Sequence, residues 1–192
     1  RKLLQIKGFR DFFVYLRFSV VKFGFHKNEK AGGGFAYQMA FFVLFETGLQ
    51  MLVDNPTMYY REEDCARFMA SIPLPTDETV SLAAKVGEYA IVAKRKGDKW
   101  YIGGMTNNKE KERVFELPLD FLPEGSTWKM VSYEDGVNAS KQAMHYMKRE
   151  QEVKKGQTIR VKMARNGGFA AVLSIKLRCE NSLHKSHRIV NR

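Results

Sequence analysis

Apolar and polar residues alternate in short runs along the second half of the chain, and turn-forming residues separate the runs. Residues 158–163 (TIRVKM) show this most clearly, because every second residue is apolar. Strand side chains point to opposite faces in turn, so this period of two indicates strands with one buried face. The pattern predicts eight strands, at 79–84, 88–95, 99–105, 112–117, 127–134, 142–150, 157–163 and 168–175. Short strands at this spacing are typical of an antiparallel β-sandwich or barrel.

The clearest turn in this half joins the second and third predicted strands. Apolar and aromatic residues flank the sequence Lys-Arg-Lys-Gly-Asp-Lys on both sides. Gly97 can adopt the positive φ of a tight turn, and Asp98 favours turns through its side chain. We therefore predict a β-hairpin over residues 86–105, with the cations Lys94 to Lys96 exposed to solvent around its turn.

The first half of the chain has a helical pattern instead. Residues 35–45 are apolar almost throughout, which predicts a helix buried on most sides. Residues 59–70 are amphipathic and predict a second helix. Its apolar side would contain Tyr60, Cys65, Phe68 and Met69. Between the two helices, residues 49–53 form a short apolar run that predicts a buried strand.

A proline-rich segment at 71–77 separates the two halves. Each proline disfavours the α region for the residue before it, so this segment is predicted to be an extended linker. We place a domain boundary here, with one domain at 33–76 and a β domain at 77–176. Residues 1–32 and 177–192 show no consistent period, and we interpret them as an unassigned basic segment and a basic tail.

The net charge of +11 resides mainly in those two ends. Residues 1–30 carry eight lysines and arginines against two acids, and residues 177–192 carry four against one. The rest of the chain is nearly neutral. A nucleic-acid partner would depend on the ends alone, and we predict none. No apolar run has the roughly 18–20 residues of a membrane span, and charges interrupt residues 1–25 too often for a signal peptide.

Cysteine and histidine spacing indicates no metal site. Cys65 and Cys179 are far apart, and the four histidines are scattered. A single disulfide between the two cysteines stays open.

Ten short sequence blocks between residues 36 and 175 resemble glycoside hydrolase family 97, which includes bacterial α-glucosidases and related α-galactosidases. In chain order the blocks are YQMA at 37–40, FETGLQMLVDNP at 45–56, YRE at 60–62, IP at 72–73, DET at 77–79, KVGEY at 85–89, AKRKG at 93–97, WYIG at 100–103, DGVNA at 135–139 and GGFAA at 167–171.

The resemblance implies a mainly β fold, in which a helical remnant of a (β/α)8 barrel precedes a carboxy-terminal antiparallel β-sandwich. Residues 33–76 would be the end of the catalytic barrel, and residues 77–176 the sandwich domain. The family's catalytic carboxylates and calcium-binding glutamates lie upstream of this region. We therefore expect no catalytic residue, metal ligand or bound calcium in this chain, and no activity from the chain alone.

For the parent enzyme, the resemblance implies hydrolysis of α-glucosidic or, second, α-galactosidic bonds in α-glucan oligosaccharides, with calcium as cofactor. It also implies a periplasmic location. The sandwich would support the barrel or form a homo-oligomer. The alternative function is a non-catalytic module for carbohydrate binding or oligomerisation. A nucleic-acid binder that uses the basic ends is the third possibility.

Glu46, Asp54, Asp77 and Glu78 are the acids of the barrel-like part that could approach an active site, and Asp54 is the strongest candidate for substrate contact. It follows the predicted strand at 49–53, and barrel active sites form at the carboxyl ends of strands. The simpler interpretation is that Asp54 fixes the turn before Pro56. Asp77 and Glu78 are expected to hold the linker, and Glu46 to make either a buried contact or a helix-end contact.

Trp100 and Tyr101 are the candidates for sugar stacking. Because neighbours on a strand point to opposite faces, at most one of them can lie on an exposed face. Burial in the core is the favoured interpretation for both.

Overall fold

The computed structural model describes residues 34–46, 56–139 and 145–176. Within these residues, three helices come first: α1 (Phe35–Leu44), α2 (Pro56–Arg61) and α3 (Glu63–Ala70). Eight strands follow: β1 (Glu78–Lys85), β2 (Tyr89–Lys96), β3 (Lys99–Thr106), β4 (Glu112–Pro118), β5 (Trp128–Asp135), β6 (Tyr146–Val153), β7 (Thr158–Ala164) and β8 (Gly168–Ile175).

The strands form two antiparallel sheets that pack face to face. The large sheet has the order β1-β2-β3-β8-β5-β6, and β4 pairs with β7 in the small sheet. All eight predicted strands are present, so the predicted β-sandwich is confirmed. The largest difference is at β6, which continues to Val153 instead of ending at residue 150. Residues 140–144 lie outside the described part of the chain.

Alternate residues of the strands fill the space between the two sheets. This inter-sheet core includes both tryptophans, Trp100 and Trp128, which are 2% and 1% exposed. The other buried members are Ile91, Ala93, Ile102, Leu117, Leu119, Leu122, Met130, Val153, Ile159, Val161, Met163, Phe169, Ala171 and Leu173. The sandwich therefore builds this core entirely from residues that follow the linker.

Helices α1 and α3 cover the opposite face of the large sheet and create a second core. Its members from the helices are Phe35, Met39, Ala40, Phe42, Val43, Cys65, Phe68 and Met69. Its members from the sheet are Tyr101, Tyr133 and Ala170. The described residues thus form three layers, with the large sheet in the middle. The assignment of residues 33–76 to a barrel stays a prediction.

Gly103 on β3 lets α1 come close to the sheet. A Cβ atom at this position would lie 2.7 Å from Val43 Cβ and 2.9 Å from the carbonyl oxygen of Ala40. Both distances are too short for van der Waals contact, and one partner is helix backbone that cannot rotate away. The absence of a side chain on Gly103 therefore sets how close the helix lies.

The predicted hairpin is confirmed. Strand β2 pairs with β3 from Tyr89↔Thr106 to Lys96↔Lys99, and Gly97 takes φ +57° in the turn between them.

The single helix predicted over residues 59–70 is wrong, because α2 ends at Arg61 and α3 begins at Glu63. Glu62 between them has φ −113° and ψ 48°, which is outside the helical region. The break destroys the expected helical spacing from Tyr60 to Cys65. Tyr60 is consequently 82% exposed, whereas Cys65, Phe68 and Met69 are buried as predicted.

Candidate functional site

Asp54 and the predicted strand at 49–53 lie outside the described residues, as do residues 1–32 and 177–192. The candidate substrate contact at Asp54 therefore stays a prediction.

Trp100 and Tyr101 are both buried, so the hypothesis of a sugar-stacking platform at this pair is wrong. Trp100 points into the inter-sheet core, and Tyr101, 3% exposed, lies under the helices. The Tyr101 hydroxyl donates a hydrogen bond of 3.0 Å to the Ser71 carbonyl oxygen. This bond attaches the end of α3 to the sheet. Because Tyr101 is buried, it offers no face to a sugar. It instead helps to hold the helical layer on the sheet.

Lys94 connects β2 to the end of α1. The side chain was expected in solvent, but it is only 6% exposed because the strand alternation points it toward the helices. Its Nζ donates to the Leu44 carbonyl oxygen at 3.2 Å and lies 3.5 Å from Glu46 Oε1. A cation at a helix carboxyl end satisfies a carbonyl group that lacks a partner within the helix.

The acid that faces Lys94 is much more exposed than the lysine. Glu46 is 46% exposed, and it also accepts a hydrogen bond from the Thr76 hydroxyl. Partial burial opposes ionisation of Glu46, but the Thr76 hydrogen bond and the Lys94 charge together lower its pKa. At Lys94, burial outweighs the attraction of Glu46 and lowers the pKa of the ammonium group. The predicted helix-end contact of Glu46 is confirmed.

Asp77 and Glu78 hold the linker as predicted. Asp77 binds Lys96 Nζ at 2.8 Å and accepts the Gly97 backbone N–H at 2.9 Å. Glu78 pairs with Arg95 at 2.9 Å. Both acids therefore attach the start of β1 to the β2–β3 turn.

Asp135 joins the two sheets, a role that the sequence did not indicate. Its Oδ2 accepts the backbone N–H groups of Ala164 at 2.8 Å and Gly168 at 3.0 Å, at the two sides of the β7–β8 turn. Burial raises its pKa to about 6, although the two hydrogen bonds act in the opposite direction. Asp135 precedes a glycine, so the sequence resembles an ordinary turn, and no local signal reveals this long-range contact.

The two outer strands of the large sheet have different chemistry. Edge strand β6 contains Lys148, Arg149, Glu150 and Glu152. Edge strand β1 contains no charge between Glu78 and Lys85. Charged side chains on an edge strand hinder pairing with another chain, so only β6 is protected in this way.

The described residues contain no group of three or more histidine, cysteine or acidic side chains that could hold a metal ion. The described residues therefore offer no carboxylate cluster for the calcium ion that the family resemblance implies. No helix among them combines the length and apolar character that a membrane span requires.

Comparison with known proteins identifies the sandwich. The sequence profile of the family described as "Glycosyl-hydrolase 97 C-terminal, oligomerisation" matches residues 75–174. This range extends from the linker through all but the last residue of β8. The chain belongs to glycoside hydrolase family 97. The resemblance of the short sequence blocks is thereby confirmed.

Two curated relatives carry α-galactosidase names. The chain is 38% identical over 133 residues to the "Retaining alpha-galactosidase" of Bacteroides thetaiotaomicron, covering 69% of this chain and 20% of that protein. It is 30% identical over 149 residues to the "Probable retaining alpha-galactosidase" of Streptomyces bingchenggensis, covering 77% and 22%. The chain thus spans about a fifth of the length of these relatives.

Solved structures support the same assignment. A family 97 enzyme from Pseudoalteromonas sp. strain K8, solved in complex with panose, has a TM-score of 0.69 and 28% identity, with 74% of this chain and 22% of that chain covered. A β-arabinopyranosidase shares the fold with a TM-score of 0.60 and 22% identity, covering 71% and 20%.

Proposed function

We propose that this sandwich mediates self-association of a family 97 glycoside hydrolase. The observation that carries the proposal is the match of a profile described as an oligomerisation domain to the residues that form both sheets. Closed two-fold dimers are the commonest homo-oligomers, so we expect a homodimer. Supporting the barrel through α1 and α3 is a second role within the same proposal.

The activity proposed for the parent enzyme is hydrolysis of α-galactosidic or α-glucosidic bonds. The names of the two relatives at 38% and 30% identity favour a galactoside, whereas panose in the 28% identical structure favours a glucoside. The names therefore support α-galactosides first, the reverse of the order that the sequence blocks implied.

The chain alone is proposed to be inactive. Glycoside hydrolysis uses two carboxyl groups on either side of the scissile bond, about 5–10 Å apart. Many of the described carboxylates instead pair with a cation, for example Glu88 with Arg113 at 2.9 Å and Asp64 with Lys148 at 2.7 Å. Calcium would be bound elsewhere in the parent enzyme. A periplasmic location of the parent enzyme belongs to the same proposal, and it rests on the family alone.

Size-exclusion chromatography with light scattering tests the self-association. The 192-residue chain has a mass of 22.1 kDa, and we expect about twice that mass at high concentration. Measurements between about 1 and 100 μM cover the range in which a micromolar dimer dissociates. A constant monomer mass over this range would refute the proposal. Hydrolysis of an aryl α-galactoside or α-glucoside by the purified chain would refute the predicted lack of activity.

A further inference from the structure

The two sheets have four outer strands, and the central residues of β1 are the uncharged exception among them. Small-sheet strand β4 carries Glu112, Arg113 and Glu116 and ends in Pro118, and β7 carries Arg160 and Lys162. Large-sheet strand β6 carries charges at four of its eight positions. Residues 79–84 of β1 are Thr-Val-Ser-Leu-Ala-Ala. Among the described outer strands, only this one has a central run of six uncharged residues.

Two-fold symmetry strengthens the contrast between β1 and β6. When two copies of one strand pair antiparallel about a two-fold axis, the residue on the axis faces its own copy. Centring β6 on Lys148, Arg149 or Glu150 therefore places like charges opposite each other, which is destabilising. Centring it on Gln151 places Glu150 opposite Glu152. No residue from 79 to 84 of β1 can produce such a repulsion.

The strand β1 is also held in an extended conformation before any partner arrives. It pairs with β2 from Glu78↔Arg95 to Lys85↔Tyr89, and Val80 and Leu82 pack against the inter-sheet core. One edge of its backbone is therefore used, and alternate N–H and C=O groups on the other edge point away from the sheet. Preorganisation of this kind lowers the entropy cost of binding.

Several side chains on and just beyond β1 are exposed beside its free backbone edge. Thr79 and Ser81 are exposed and small, and Val86 just beyond the strand is 61% exposed. The strand begins with an acid, Glu78, and ends with a base, Lys85, so antiparallel pairing brings the acidic end of one copy toward the basic end of the other. A register shift between Ser81 and Ala83 interrupts the ladder with β2, so β1 has two regular stretches, residues 78–81 and 83–85.

We propose that β1 is the strand through which two copies of this chain associate, by antiparallel pairing of their β1 edges into one sheet that continues across the dimer. The inference rests on the proposed function of self-association, and it adds the surface and the geometry of the contact.

A charge on β1 tests the inference. Ser81→Lys places a cation on the exposed side of the strand, and two such cations come close together in the dimer. We expect the dissociation constant measured by sedimentation equilibrium to rise by about tenfold or more. The matched control is Met147→Lys, which puts the same side chain at a 39% exposed position on β6 and should leave dimerisation unchanged. Circular dichroism checks that both variants fold.

Mixing opposite charges gives the sharper measurement. The homodimer of Ser81→Glu alone should also dissociate. An equimolar mixture of Ser81→Lys and Ser81→Glu should instead form a heterodimer, which native mass spectrometry detects directly. This rescue requires the two copies to meet near position 81. If Ser81→Lys fails to fold, Ala84→Lys at the next exposed position of β1 takes its place, paired with Ala84→Glu.

The outcomes separate the inference from the proposed function. A wild-type chain that stays monomeric refutes both. A wild-type dimer that Ser81→Lys leaves intact, or that Met147→Lys dissociates instead, refutes the assignment to β1 and leaves self-association standing.

Discussion

The two faces of the large sheet have different neighbours, the small sheet on one side and helices α1 and α3 on the other. Toward the small sheet, β3 presents Trp100 and Ile102, and β8 presents Leu173. Toward the helices, the same two strands present the large Tyr101 together with the small Gly103 and Ala170. Gly103 in particular allows the backbone of α1 to approach the sheet closely.

This difference assigns distinct roles to the two cores. Both walls of the inter-sheet core come from residues after the linker, so this core should determine whether the sandwich folds. The outer core needs α1 and α3, which precede the linker. It should determine whether the helices stay attached to a sandwich that is already folded.

Truncating a tryptophan of the inter-sheet core should have the largest effect. Trp128→Ala removes a side chain that is 1% exposed, and it should lower the free energy of unfolding by about 3–5 kcal/mol. Urea denaturation followed by circular dichroism measures the change. Tyr60→Ala, at an 82% exposed position, is the control and should alter stability by less than about 0.5 kcal/mol. Similar losses from both variants would contradict the assigned role of this core.

Alanine substitutions at two neighbouring glycines of β3 test the two faces of the large sheet separately. Gly103→Ala drives a methyl group into the backbone of α1, whereas Gly104→Ala meets Ile91 side-chain atoms at 3.2 Å on the other face. We expect Gly103→Ala to loosen the helical layer, at a cost of about 1–3 kcal/mol for overpacking. Gly104→Ala should leave that layer in place.

The thiol of Cys65 reports the difference. Cys65 belongs to α3 and is fully buried between the helices and the large sheet, and burial raises its pKa to about 12, so it reacts slowly with disulfide reagents at neutral pH. In a Cys179→Ser background, Gly103→Ala should speed Cys65 labelling several-fold, and Gly104→Ala should not. Equal labelling rates would show that α1 does not depend on Gly103.

Asp135, the link between the sheets, should depend on pH. Its folded-state pKa of about 6 lies above the usual 3.8, so its contribution to stability is greatest at low pH and is lost as pH rises through 6. Asp135→Asn keeps an oxygen for both N–H groups and removes the charge. Relative to wild type, this variant should therefore gain on the order of 1 kcal/mol between pH 4.5 and pH 7.5.

The matched variant Asp135→Ala leaves two backbone N–H groups without their acceptor. It should lose about 1–3 kcal/mol at both pH values. If Asp135→Asn and Asp135→Ala have the same free energy of unfolding in urea, the two hydrogen bonds do not stabilise the sandwich.

The smallest effect is expected at the end of α1, where the exposures of Lys94 and Glu46 differ. Glu46→Gln leaves a buried cation without its acid partner, and it should cost on the order of 1 kcal/mol. Lys94→Met removes the buried charge and leaves a half-exposed glutamate that water can solvate, so its cost should be smaller. Thermal denaturation of both variants measures the two losses of stability. A larger loss from Lys94→Met would show that its bond to Leu44 dominates.

The sequence predicted strands well because a period of two depends only on near neighbours. The alternation at 158–163 became β7, and the turn at Gly97 formed as expected. The break at Glu62 was missed, because no glycine or proline marks it. Local pattern is therefore informative where the physical cause is also local.

Contacts between distant parts of the chain could not be predicted in this way. Lys94 lies in a run of three cations that resembles a solvated turn, and its partner Leu44 is 50 residues away. Asp135 likewise binds Ala164 and Gly168, about 30 residues downstream. Candidate residue Asp54 lies outside the described part of the chain.

The position of β8 in the large sheet constrains the order of assembly. It is the last described strand in the chain, yet it lies between β3 and β5. Until the ribosome has released residue 175, β1-β2-β3 and β5-β6 have no shared neighbour, and each would present an additional unpaired edge. Synthesis that stops before β8 would therefore yield two separate β units with exposed apolar faces, which is the form of chain most prone to aggregate. Completion of the sandwich must wait for almost the whole described chain to be made.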